Sequence, residues 1–128
     1  MRRLPAATDF DGWVAQLANS ERRQRAKIRL RDAGQAARAA ELGGYFGVDG
    51  PITYKNAEAL RSLVRELPAD RIVVETDSPY LSPEPHRGKL NRPAYLPIIV
   101  RRLALVLQIE AEECAEATTR AAEKFFGF

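Results

Sequence analysis

Two carboxylates near the middle of the chain, Glu75 and Asp77, have the spacing of residues that could act together on a bound cation. They end a β-branched run that predicts a strand over residues 72–77. Side chains alternate along a strand, so residues two apart point to the same side. One carboxylate could then bind a hard cation while the other orients the ion or an attacking water. The residues leave one alternative open, in which Asp77 opens an Asp-x-Pro turn or caps a helix.

A basic cluster follows these carboxylates in the sequence. His86, Arg87 and Lys89 lie within a few residues of one another in a segment without regular periodicity. An arginine offers a bidentate fork and a lysine a point charge, so the cluster could bind a phosphodiester. Lys55, which follows an earlier predicted strand, could reach the same place. The alternative is that the cluster is a solvated loop, that Lys55 is an exposed charge and that Asn56 only caps a helix.

The elements that must position these groups follow the order strand, helix, strand. Glycines bracket a short apolar run in residues 43–50, which predicts a buried strand. Residues 56–67 carry one apolar stripe at helical spacing, made of Leu60, Leu63, Val64 and Leu67. The second strand is apolar without alternation, as in a parallel sheet covered on both faces. The sequence therefore predicts a βαβ unit, and in βα-barrels the active site forms at the carboxyl ends of the strands.

The rest of the chain is predicted to be helical around one long loop. Residues 78–92 form that loop, Pro93 opens the next helix, and a last helix covers 111–125 before Gly127. Propensity also favours a helix across 20–42. This region contains a basic run of Arg22, Arg23, Arg25, Lys27, Arg29 and Arg31. The run could grip phosphates, or it could be a solvated stretch.

Composition narrows the class of protein. The chain has 128 residues, of which 45% are hydrophobic and 29% charged, as expected for one globular α/β domain. Its net charge of +3 permits a polyanionic partner without requiring one. The single cysteine, Cys114, excludes an internal disulfide and a cysteine-rich zinc site. Since the longest apolar stretch is too short to cross a membrane, we expect a cytoplasmic protein with no membrane partner.

Four segments of the sequence resemble, in order, motifs of the TatD family of metal-dependent deoxyribonucleases. They are GVDGPITYKNA at 47–57, VVETDSPYL at 73–81, PHRGKLN at 85–91, and Thr118-Thr119 with FFG at 125–127. The resemblance covers about residues 41–128 and only the C-terminal third to half of a full-length family member. We therefore divide the chain into a divergent basic and alanine-rich leader, 1–40, and a family-like part, 41–128.

The resemblance implies the fold and the chemistry. The fold would be part of a TIM-type (β/α) barrel of the metal-dependent hydrolase superfamily. Family members are divalent-metal hydrolases, and their best-known activity is magnesium-dependent 3′–5′ exonuclease action on DNA. Their metal site uses a His-x-His pair, a central Glu, two later His residues and the Asp of the Glu-Thr-Asp motif. Only that Asp has a counterpart, Asp77, which by resemblance ligates the metal and helps to activate the attacking water, with Glu75 beside it.

The same resemblance implies that the site is incomplete. The chain has one histidine, His86, and it follows Asp77 rather than preceding it. We therefore expect a truncated barrel with impaired hydrolase activity when the chain is alone. Two alternatives remain open. The chain could bind nucleic acid without cleaving it, or it could work only when an N-terminal half is supplied in trans.

Overall fold

The computed structural model of the protein describes residues 33–128, which divide into a part up to Gly44 and a compact unit, Tyr45–Phe128. The first part contains helix α1 (Ala33–Glu41). Gly43 follows the helix with a φ of 80°, the left-handed conformation that glycine adopts without steric cost. The helix agrees with the described part of the one predicted over 20–42, and the basic run at 22–31 lies outside the described residues. The division into a leader and a family-like part stays a prediction.

The compact unit begins with a βαβ arrangement, as predicted. Strand β1 (Phe46–Val48) and strand β2 (Ile72–Val74) pair in parallel, and helix α2 (Glu58–Arg65) connects them. Phe46 pairs with Ile72 and Val48 with Val74. The predicted α/β class is confirmed, whereas the extent of a barrel stays a prediction. Both strands are shorter than the sequence suggested, because their regular pairing ends at Val48 in β1 and at Val74 in β2.

Helix α2 packs through the apolar stripe that the sequence predicted, with Val64 and Leu67 buried. The prediction that Asn56 caps this helix is wrong. The residue before the helix is Ala57, and no side chain caps the helix. The reason is local, because Ala57 N–H donates to the Tyr54 carbonyl oxygen over 3.3 Å and so closes a turn that contains Asn56.

Two further helices cover the sheet. A short 3-10 turn, Pro93–Tyr95, leads into helix α3 (Leu96–Leu107), and helix α4 (Ala111–Phe126) follows. Gly127 ends α4 at a φ of 78°, as its position in the sequence predicted. Helix α4 packs on α3 and on β2. The largest fully buried side chains are Ile52, Ile72, Ile99, Leu103, Pro83 and Cys114. None of the helices in residues 33–128 is both long enough and apolar enough to cross a membrane.

Candidate metal centre

Three carboxylates converge at the carboxyl ends of the two strands. Asp49 follows β1 directly and Glu75 follows β2 directly, while Asp77 lies two residues further on. One oxygen from each carboxylate lies within 4.8 Å of the other two. Glu75 N–H donates to the Val48 carbonyl oxygen over 2.9 Å, which carries the pairing of the strands up to the cluster. The parallel register therefore places Asp49 and Glu75 side by side.

Asp77 reaches the cluster by a different route from the one predicted. Its φ of 58° lies in the left-handed region, so the residue is no longer part of a strand and alternation does not set its direction. Tyr80 N–H donates to the Asp77 carbonyl oxygen over 2.8 Å, which closes a turn. The predicted meeting of Glu75 and Asp77 is confirmed, but the reason given for it is wrong. Asp77 opens a turn, as one alternative has it, and its carboxylate also belongs to the cluster; that it binds a cation stays a prediction.

Gly47 provides the space that the Glu75 carboxylate occupies. Phe46 and Val48 are buried on one side of β1, and Gly47 lies on the exposed side between them. A Cβ atom at Gly47 would lie 3.0 Å from Glu75 Oε1 and 3.1 Å from its Cδ. Since this is tighter than ordinary van der Waals contact, the absence of a side chain at this position lets the carboxylate fold back over the strand.

The chemistry of the cluster fits a hard divalent cation. Carboxylate oxygens are the preferred protein ligands of Mg²⁺ and Ca²⁺. Oxygens on opposite sides of one Mg²⁺ are about 4.2 Å apart, and those on Ca²⁺ up to about 5 Å. The limit of 4.8 Å between the oxygens of Asp49, Glu75 and Asp77 is close to both values. The three groups are therefore near enough to one another to be candidates for holding one cation.

The loop after β1 and the loop after β2 are joined beside the strand ends. The Tyr54 hydroxyl donates to the Ser82 carbonyl oxygen over 3.1 Å, and the Arg87 guanidinium lies 4.1 Å from the centre of the Tyr54 ring. Burial raises the pKa of Tyr54 above its ordinary value of 10.0, and the charge of Arg87 opposes that shift. Tyr54 therefore stays protonated at neutral pH and donates this hydrogen bond. Its ring also makes a cation–π contact with the Arg87 guanidinium.

The other predicted basic residues occupy separate positions on these loops. The His86 imidazole stacks on the Tyr95 ring with a centroid separation of 4.1 Å. Lys55 and Lys89 are exposed. Arg61 donates from Nη1 to the Tyr54 carbonyl oxygen over 2.9 Å and from Nη2 to that of Lys55 over 3.3 Å, so it fixes the backbone that carries Lys55.

The sequence interpretation missed residues that shape this centre. The first is Asp49, which follows β1 as Glu75 follows β2. That equivalence could have identified it, because parallel strands end at the same edge of a sheet. The space at Gly47 depends on its contact with Glu75 on the neighbouring strand, and no local pattern reveals it.

Comparison with known proteins gives a consistent result. The family model described as TatD related DNase matches residues 14–127. The protein named uncharacterized metal-dependent hydrolase YcfH of Escherichia coli (strain K12) is 44% identical over 88 residues, 69% of this chain and 33% of the relative. The uncharacterized metal-dependent hydrolase TatD of Mycobacterium tuberculosis is 38% identical over 96 residues, 75% of this chain and 36% of the relative.

A solved structure supports the fold. The crystal structure of YJJV, a TatD homolog from Escherichia coli K12, matches with a TM-score of 0.71 and 25% sequence identity. The match covers 89% of this chain and 45% of that chain. The chain spans about a third of the length of the curated relatives named above.

Proposed function

This chain belongs to the TatD-related DNase family, and we propose that it serves metal-dependent hydrolysis of phosphodiester bonds in DNA, of the 3′–5′ exonuclease type. The observation that carries the proposal is the meeting of Asp49, Glu75 and Asp77 at the carboxyl ends of two parallel strands. Active sites of βα-barrels form at that end of the strands. The relatives YcfH and TatD are also named as metal-dependent hydrolases.

The three carboxylates divide the work in this proposal. Asp77 and Asp49 hold the cation, and Glu75 orients the attacking water and accepts its proton. Mg²⁺ is the ion we propose, and when bound it supplies Lewis acidity and a lower pKa for water. The negative charges of the carboxylates also hold the scissile phosphate at a distance unless a cation neutralises them. Binding of DNA should therefore depend on the divalent ion.

Basic side chains on the two loops would hold the substrate phosphate. Arg87 is the strongest candidate, since the Tyr54 ring supports its guanidinium and limits the conformations that it must give up on binding. Lys55 and Lys89 would add charge from the loop after β1 and the loop after β2. His86, which stacks on Tyr95, would contribute from the loop after β2.

An exonuclease assay with the full chain tests the catalytic proposal. A single-stranded oligonucleotide labelled at its 5′ end is incubated with Mg²⁺ or with EDTA, and product lengths are followed. We expect weak stepwise shortening, since the chain has one histidine, and we expect it to need Mg²⁺ and to be lost in Asp77→Asn. Asp70→Asn is the matched control, because Asp70 is exposed and precedes β2 at its amino end. Cleavage that survives in Asp77→Asn would show that the mechanism is wrong.

Binding without cleavage is the second candidate function, favoured by the Arg87–Tyr54 contact. Binding to fluorescent single-stranded DNA, measured by anisotropy, should weaken as salt rises, because counterions are released from the phosphates. Arg87→Ala should lower both the affinity and the salt dependence. Arg120→Ala removes the same charge from the exposed side of α4 and should change neither. Binding that does not respond to salt would contradict this function.

We also propose that the βαβ unit is one sector of a TIM-type (β/α) barrel, and that an N-terminal half supplied in trans can provide the histidine ligands. Mixing this chain with the N-terminal half of a relative such as YcfH should raise Mg²⁺-dependent cleavage above that of either part. No gain on mixing would contradict this assembly. We propose the cytoplasm as the location, which cell fractionation tests.

A further inference from the structure

Asn91 is a buried polar residue that touches the turn carrying Asp77. The residue is 4% exposed, although the residues on both sides of it, Leu90 and Arg92, are exposed. A buried amide is costly unless its donors and its acceptor are satisfied. The partners that satisfy Asn91 therefore indicate what the residue is for.

Most of those partners belong to one short segment, residues 76–80, which we call the carboxylate turn. Asn91 Nδ2 donates to the Thr76 carbonyl oxygen and, over 2.7 Å, to the Tyr80 carbonyl oxygen. The backbone N–H of Asn91 donates to the Pro79 carbonyl oxygen over 3.0 Å. Both N–H groups of the amide are thus used on the two ends of the carboxylate turn. The amide oxygen accepts from Arg92 N–H over 2.8 Å, which fixes the orientation of the amide.

Asp77 needs such support because its backbone is in an unfavourable conformation. A φ of 58° is disfavoured for L residues other than glycine and persists where the surroundings fix it. The hydrogen bond from Tyr80 N–H to the Asp77 carbonyl oxygen closes the turn from inside. The Asn91 amide closes it from outside by joining Thr76 to Tyr80.

We infer that Asn91 is a positioning residue of the metal centre, which clamps the carboxylate turn so that the Asp77 carboxylate meets those of Asp49 and Glu75. The inference rests on the proposed metal-binding function. Asn91 does not touch the cation, and it acts through the backbone on both sides of Asp77. An apolar residue of similar size would leave two carbonyl oxygens without this donor, and aspartate would set negative oxygens against them.

Two measurements on the full chain test the inference. Mn²⁺ binding is followed by calorimetry, and exchange of the Tyr80 amide hydrogen is followed by NMR. We expect Asn91→Ala to weaken Mn²⁺ binding roughly 10- to 100-fold, the usual effect of losing a residue that orients a ligand. Its Tyr80 amide should exchange faster because the turn opens more often. Asn91→Ser, which keeps one hydroxyl donor, should show a smaller loss and serves if the alanine variant does not fold.

Thr118→Ala is the matched control for a general loss of stability. Thr118 is also buried, and its hydroxyl donates to the Cys114 carbonyl oxygen over 2.9 Å within α4. We expect this variant to melt at a lower temperature but to keep both the Mn²⁺ affinity and the Tyr80 exchange of the wild type. The inference is overturned if Asn91→Ala binds Mn²⁺ as the wild type does, or if Thr118→Ala weakens binding equally.

The two proposals fail in different ways. If the wild-type chain binds no Mn²⁺, the proposed metal centre is wrong. Exchange at Tyr80 then decides the role of Asn91 in holding the carboxylate turn, and unchanged exchange in both Asn91→Ala and Asn91→Ser overturns it. If the wild type binds Mn²⁺ and Asp77→Asn abolishes binding while Asn91→Ala does not affect it, the metal centre stands and the clamp fails.

Discussion

Substitution of Gly47 by alanine should separate metal binding from stability. The added Cβ would lie 3.0 Å from Glu75 Oε1, and ordinary contact begins at 3.4 Å. The neighbouring atom is the end of a flexible side chain, so the carboxylate withdraws rather than the strand. Gly47 is not among the residues with positive φ, so its backbone conformation suits alanine as well.

The expected changes in Mn²⁺ affinity and in the free energy of unfolding follow from this geometry. In the proposed site Glu75 orients the water on the cation, and the added methyl group would move its carboxylate by a few tenths of an ångström. We therefore expect Mn²⁺ affinity to fall roughly tenfold, the lower end of the range for losing a residue that supports a metal site without binding the ion. Alanine within a strand is favoured over glycine by about 0.5–1 kcal/mol. The free energy of unfolding should therefore stay level or rise while metal affinity falls.

The assay combines Mn²⁺ calorimetry with urea unfolding on wild type, Gly47→Ala, Glu75→Ala and the double variant. Once the Glu75 side chain is absent, the methyl group at position 47 has no carboxylate to displace. Gly47→Ala should then cause no further loss of affinity, and the two changes should be strongly coupled. The reasoning is refuted if Gly47→Ala lowers Mn²⁺ affinity equally with and without the Glu75 carboxylate. It is also refuted if Gly47→Ala binds Mn²⁺ as tightly as the wild type does.

Three further changes test the packing and the ionisation of the chain. Gly50→Ala sets a methyl group against the Leu81 carbonyl oxygen and should cost roughly 1–3 kcal/mol in urea unfolding, so an unchanged midpoint would contradict this contact. The hydrogen bond from Arg61 lowers the pKa of Glu58 below 4.5. The charged carboxylate therefore stabilises the fold above the lowered pKa, and any stability difference between the wild type and Glu58→Gln at pH 7 should vanish as the pH falls through it. A stability difference that persists at pH 2 would argue against this interaction. Burial raises the pKa of the Cys114 thiol, so a thiol reagent at pH 8 should label it quickly only after denaturation, and rapid labelling of the native protein would contradict its burial.

Periodic patterns predicted the elements, because they report burial directly. The stripe of α2 and the apolar run of β2 specified a βαβ unit, and Gly127 marked the end of α4. Element ends were predicted less well. The sequence favoured Asn56 as a cap, but a turn ending at Ala57 takes its place. Such local choices depend on individual hydrogen bonds, such as the one from Ala57 N–H to the Tyr54 carbonyl oxygen and those that Arg61 makes to the same loop, and hydrophobic periodicity does not report them.

The candidate site was predictable from the sequence only in part. Glu75 and Asp77 stood out because carboxylates at the end of a buried strand are conspicuous in the sequence. Asp49 is just as close to a strand end and could have been identified by that equivalence, and the register shows that it lies beside Glu75. Asn91 is separated from the carboxylate turn by a long loop, so its clamp emerges only when the loop has folded back. Tertiary contacts of this kind leave no periodic signal.

The three carboxylates are positioned by parts of the structure that differ in rigidity. Strand pairing places Asp49 and Glu75, and the bond from Glu75 N–H to Val48 means that they separate only if the sheet opens. Asp77 depends on a turn in a left-handed conformation, which can relax while the sheet stays paired. Mutations in the carboxylate turn or at Asn91 should therefore change metal affinity with little change in the cooperativity of unfolding. Mutations in β1 or β2 that break the pairing should change both together, so metal affinity in this chain is most readily tuned through the turn.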